Sequence, residues 1–335
     1  MRDFLCRTCG QRLTFENTQC LRCRSYLGLH LPSRSLVTLE ESGATRIKDA
    51  EWVRCANRKL AHCNWLVPAN SASPLCASCA LTRTRPNEED PLFREFANAE
   101  TAKRRVILEL DELGLPLADR DEDPQRGLGF DLLSSVGEKV ITGHASGLIT
   151  LDLAEGDDLH RERLRVEMDE PYRTLVGHFR HEIGHYYQMV LINTTDRHAT
   201  YEALFGDINA DYQAALNRHY RDGPPDGWSA NYVSSYATMH PAEDWAETFA
   251  HYLHIRDALD TAAAFGFAPS GASLTNDLSG DAGFNRIIDW WLPLAWALNQ
   301  VNRSMGHSDL YPFVLRGPVL KKMRFIHQLV QRPHY

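Results

Sequence analysis

An α+β fold is expected here, a mainly helical domain with a small sheet, preceded by a small cysteine-rich domain stapled by metal. Three observations lead to it. All eight cysteines, Cys6, Cys9, Cys20, Cys23, Cys55, Cys63, Cys76 and Cys79, fall before residue 80 of a 335-residue chain. From residue 91 onward apolar residues recur at helical spacing between capping signals. One stretch alone, 127–153, alternates apolar and polar residues with period two, as a strand does.

The N-terminal segment is too short to build a large core, and a metal staple substitutes for one. Cys6-x2-Cys9 and Cys20-x2-Cys23 are tight knuckles whose sulfurs can meet on one tetrahedral ion, a strong zinc signature. Cys55, Cys63, Cys76 and Cys79 form a second set with one such knuckle. His62, beside Cys63, is the alternative ligand there. Closed four-cysteine sites have no open coordination position, so two structural zinc ions are expected and the chemistry must lie elsewhere.

Charge excludes some partners. Residues 1–90 carry 13 Lys and Arg against 9 Asp and Glu, within a chain of net charge −8. Each zinc tetrathiolate contributes about −2, which cancels that excess, so a nucleic-acid footprint is not supported. No run approaches the roughly 18 apolar residues of a membrane span. The opening MRDFLCRTCGQRLTF lacks an apolar h-region, which predicts a cytoplasmic protein with thiols rather than disulfides.

Residues 84–91, with Arg85, Pro86, Asn87 and an acidic run, read as a linker. A helix follows through Phe93, Phe96, Val106, Leu108 and Leu110, stopping at Gly114 and Pro116. After the strands of 127–153, Glu170 and Pro171 open a helix running to about 191, with Phe179, Ile183, Tyr186 and Val190 on its apolar face. Helices at about 199–220 and 241–264 complete the reading, the second opening with Pro241 and an acidic first turn and ending near Gly266.

The chemistry is concentrated in His181-Glu182-Ile183-Gly184-His185. Two histidines four apart on a helix project from one face and can share a zinc ion, with Glu182 placed as general base toward the attacking water. Tyr186 and Tyr187 continue the apolar side, and His178 reads as an ordinary helix residue. A third histidine ligand of the extended pattern is excluded, because Gln188 and Leu191 stand where Gly and His would be needed. A later carboxylate must then complete the set. Glu243 is the first choice, with Glu247, Asp244, Asp207 and Asp211 as alternatives, while Trp245 and Phe249 read as core.

HEIGH, followed by Tyr236 and then Glu243-Asp244-Trp245-Ala246-Glu247-Thr248-Phe249, resembles the gluzincins, most closely the peptidase domain of anthrax lethal factor. The combination of cysteine-rich N-terminus, HEIGHYY and HPAEDWAETFAHYLHI also resembles bacterial zinc-binding metallopeptidases. The resemblance implies His181, His185 and Glu243 as ligands of one catalytic zinc, Glu182 as general base, Tyr236 as donor to the transition state, and Glu247 as the carboxylate that orients a ligand histidine. It implies a zinc-ribbon-like module at 1–83 and a metallopeptidase domain at 91–335.

The expected activity is zinc-dependent hydrolysis of a peptide or protein by water attack, as an endopeptidase, with 147–153 as an edge strand that pairs with substrate. The alternative is a zinc-ribbon adaptor that recruits a protein partner and carries an inactive or non-peptide-hydrolysing HExxH domain.

Overall fold

Short hairpins build the N-terminal part. In the computed structural model, which describes residues 3–167, 174–192 and 197–331, β1 (Phe4–Leu5) pairs antiparallel with β2 (Arg12–Leu13), and β3 (Tyr26–His30) with β4 (Ser35–Leu39). β5 (Ala44–Ile47), β6 (Ala50–Arg54) and β7 (Leu66–Pro68) form a three-stranded antiparallel sheet. A single turn, α1 (Ala77–Ala80), is capped by the Cys76 sulfur, which accepts from the Cys79 N–H.

The stretch read as linker begins inside a strand. β8 (Thr82–Thr84) pairs in parallel with β9 (Gly129–Leu133), across α2 (Phe93–Glu112). β9 pairs in parallel with β11 (Leu148–Asp152), and β10 (Gly143–Ala145) lies antiparallel on the far side of β11, in the order β10, β11, β9, β8. The stretch 147–153 is therefore not an edge, because β11 has a neighbour on each side. The edge strands are β10 and β8. The parallel neighbours meet through contacts distant in sequence, which local alternation cannot reveal.

The helical part follows. α3 (Asp158–Glu167) leads to α4 (Leu175–Leu191), whose N-cap is Thr174, its hydroxyl accepting from the Gly177 N–H. The expected start at Glu170 and Pro171 lies outside the described residues. The expected helix at 199–220 is two: α5 (His198–Phe205) ends at Gly206, whose φ of 105° breaks it, and α6 (Tyr212–Asp222) restarts from the N-cap Asp211. α7 (Pro241–Ala264) matches its expected bounds, with Pro241 in its first turn and His240 as N-cap. α8 (Gly280–Ser304) and α9 (Gly317–Val330) close the chain. Among the described residues no helix is long and apolar enough to cross a membrane.

α4 lies along α7, and α2 packs beside α4. One apolar core runs from Phe15 and Trp65 of the cysteine-rich part through Phe96, Phe130 and Ile183 to Trp245 and Phe249. Burial on this scale is the main stabilising term. Arg180 pins the same three helices: its guanidinium donates to Glu109 of α2 at 2.9 Å and to Asp257 of α7 at 2.7 Å. A second core gathers α8, α9 and the back of α7 around Trp291, Leu259 and Met323.

Candidate active site

The two N-terminal sets of thiols converge. The four sulfurs of Cys6, Cys9, Cys20 and Cys23, and those of Cys55, Cys63, Cys76 and Cys79, lie within 4.8 Å of one another in each set. Neighbouring sulfurs stand 3.6 Å apart, as in Cys6–Cys23, Cys9–Cys20 and Cys63–Cys76. No disulfide forms among them. Zinc–sulfur bonds of about 2.3 Å in a tetrahedron give sulfur–sulfur edges of about 3.8 Å, so the geometry fits zinc ions. His62 is exposed and stays outside its set; its carbonyl accepts from Arg104.

The second set is wholly buried and leans on α2. Cys79 Sγ lies 3.7 Å from Glu100 Oε2, and Glu100 is paired with Lys103 at 2.7 Å, both carboxylate and ammonium being inaccessible. A buried lysine is costly unless compensated by negative charge. The four-thiolate site supplies part of that charge.

A third cluster forms where α4 meets α7, from His181, His185 and Glu243. Their four-residue spacing puts the two imidazoles on one face, with Nε2 atoms 3.2 Å apart. Glu243 reaches them from the first turn of α7, its Oε2 being 3.0 Å from His181 Nε2 and 3.4 Å from His185 Nε2. It is 2% exposed, so its charge must be matched by a cation there. His181 Nδ1 donates to Glu247 Oε1 at 2.7 Å, which leaves the lone pair of Nε2 aimed into the cluster. Two imidazole nitrogens and a carboxylate oxygen are a donor set that suits zinc.

The other acidic candidates go elsewhere. Asp244 is buried against Lys322 Nζ at 2.6 Å. Asp207 accepts from the Asn209 N–H and Asp211 caps α6. Trp245 and Phe249 are fully buried.

Around the cluster stand groups able to handle protons. Glu182 is buried, with Oε1 3.3 Å from His178 Nε2 and Oε2 without a hydrogen-bond partner among the described residues. Burial raises its pKa, but the His178 hydrogen bond and the neighbouring imidazoles outweigh it and hold the carboxyl below its usual range. Tyr236 sits 6.0 Å, ring to ring, from His181, and burial followed by the Glu243 charge pushes its hydroxyl far up, so it stays protonated.

Three neighbours had no sequence signal. Tyr212 donates to Glu243 Oε1 at 3.0 Å. His144 of the edge strand β10 stacks over His185 with ring centroids 6.4 Å apart, and burial lowers it to about 4, so it is neutral. His178, read as an ordinary helix residue, also meets Glu155, a carboxylate 23 residues away.

A family profile described as "Putative zinc-binding metallo-peptidase" matches residues 93–329, and one for a zinc-ribbon domain matches residues 3–90. Curated relatives from Mycobacterium tuberculosis and Mycobacterium bovis, each named only as an uncharacterized protein, are 60% identical over 332 residues, which is 98% of this chain and 95% of theirs. No solved structure matches the chain.

Proposed function

This chain belongs to the zinc-binding metallopeptidase family, and from that premise we propose that it hydrolyses internal peptide bonds by attack of water, at the cluster of His181, His185 and Glu243. The observation that carries the reading is the convergence of these three donors beside a buried carboxylate, Glu182, with one oxygen unengaged.

His181 and His185 through Nε2, and Glu243 through Oε2, would hold the ion. When bound, zinc supplies Lewis acidity that polarises the scissile carbonyl and acidifies water. Glu182 takes the proton of the attacking water and passes it to the leaving amine. Tyr236, protonated at neutral pH, donates to the developing oxyanion. Glu247 keeps His181 in the tautomer that turns Nε2 to the metal. A carboxylate ligand from a later helix would make this a gluzincin arrangement, similar to that of the lethal factor peptidase domain.

The edge strand β10 gives the substrate a place. Its outer side faces no strand among the described residues, and His144 brings it over His185. An extended peptide can add to such an edge through main-chain hydrogen bonds. The eight thiols suit a reducing cytoplasm, where the two cysteine sets would each carry a structural zinc.

Glu182→Gln tests the chemistry. The variant should keep three zinc ions and its fold while cleavage of a peptide library falls to background; undiminished cleavage would remove Glu182 from the mechanism.

A further inference from the structure

A general base works only if its proton-accepting oxygen is held within reach of the water, and a glutamate has three rotatable bonds to restrain. Glu182 is restrained at one oxygen. His178, one turn earlier on α4 and on the same face, approaches Oε1 through Nε2 at 3.3 Å. The other ring nitrogen, Nδ1, faces Glu155 Oε2 at 2.5 Å. Both nitrogens face carboxylate oxygens, which accept only, so Nδ1–H donates to Glu155 and a protonated Nε2 makes an ion-pair contact with Glu182.

Glu155 is itself fixed. It stands in the turn after β11, is 5% exposed, and its Oε1 accepts from the Thr142 hydroxyl at 3.0 Å. That hydroxyl oxygen accepts from the Asp152 N–H at 3.1 Å. The chain from Thr142 through Glu155 and His178 to Glu182 thus ties the catalytic helix to the sheet just before its edge strand. An ordinary helix histidine would not be held between two carboxylates from different elements.

We propose that His178 is a positioning residue for the general base: anchored by Glu155, it fixes Glu182 Oε1 so that Oε2 is the oxygen offered for proton transfer. The proposal rests on the peptidase reading above. It adds a required histidine that does not bind the metal, and a required carboxylate outside the HExxH helix.

The test uses the full-length, zinc-loaded chain and a fluorogenic peptide selected on the wild type. His178→Phe should lower kcat by about ten- to a hundredfold with KM unchanged. Zinc content should stay at the wild-type value and thermal unfolding should remain cooperative. His178→Gln, which keeps one amide donor toward Glu182, should recover part of the loss, and Glu155→Gln should lower kcat in the same direction. Should His178→Phe fail to fold, the two near-isosteric variants carry the test. A kcat within twofold of wild type in His178→Gln and Glu155→Gln, or a parallel loss of zinc and activity, overturns the relay alone. Absence of cleavage by the wild type overturns the peptidase reading, and the relay with it.

Discussion

Gly184 lies against the backbone of Ala246, so closely that a Cβ at position 184 would stand 2.9 Å from the Ala246 Cα. The contact sits between α4, at the turn that carries the proposed ligands His181 and His185, and the first turns of α7. Trp245 reinforces it, its indole N–H donating to the Gly184 carbonyl at 2.8 Å. The glycine of HEIGH is thus a point of close approach between the two helices that carry the proposed ligands.

Gly184→Ala should therefore separate the ligands as well as strain the core. Backbone cannot yield as a flexible side chain does, so a cost of about 1–3 kcal/mol is expected. Thermal unfolding should show it, and metal analysis should show one zinc lost from the catalytic cluster while the cysteine sets keep theirs. An unchanged stability and zinc content would mean that the helices do not meet this closely.

Tyr212 and Tyr236 should separate by phenotype. Tyr236→Phe removes the proposed oxyanion donor and should lower kcat by about a hundredfold or more, with KM and zinc content unchanged. Tyr212→Phe removes the hydrogen bond to Glu243 Oε1 and should weaken zinc retention by about tenfold in competition with a chelator. Interchanged outcomes would assign the donor role to Tyr212.

The two cysteine sets should differ in consequence. Cys79 is buried beside Glu100 and Lys103 of α2, whereas Cys9 is half-buried in a peripheral hairpin. Cys79→Ser should destabilise the whole chain by roughly 3–5 kcal/mol, since it opens a buried metal site whose binding energy is folding energy. Cys9→Ser should leave peptide hydrolysis largely intact. Denaturant unfolding of each variant, followed by activity, decides this.

The His178 pair has a pH signature. Burial opposes its charge, but the Glu155 and Glu182 carboxylates raise its pKa to about 9 from an ordinary 6.5. A raised folded-state value means that the contribution, roughly 3 kcal/mol, is fully present below about pH 6.5 and is lost as pH rises through about 9. Between those limits stability should fall more steeply with pH in the wild type than in His178→Phe. Parallel stability curves would show that the histidine is neutral in the folded chain.

The parts legible in the sequence are those set by local spacing. His181 and His185 are one helical turn apart, and Pro241 with its acidic first turn marks the start of α7, so both helices could be read directly. The spacing of the knuckles likewise announced the first cysteine set. What escaped depends on distant partners. The parallel pairing of β11 with β9 moved 147–153 from the edge to the interior. Tyr212 meets Glu243 only because Gly206 and Asp211 break one expected helix into two. Glu155 gave no motif at all, since its partner lies 23 residues on. α8 and α9 were not anticipated either; α8 carries Pro293 within it, a signal that ordinarily argues against helix.

Diffraction from crystals of the zinc-loaded protein, recorded at the zinc absorption edge, tests the shared coordination most directly. The expected result is an anomalous peak about 2.0–2.2 Å from His181 Nε2, His185 Nε2 and a Glu243 carboxylate oxygen. A peak bonded to Glu247 in place of Glu243, or none between the two histidines of a protein that cleaves peptides, would contradict it.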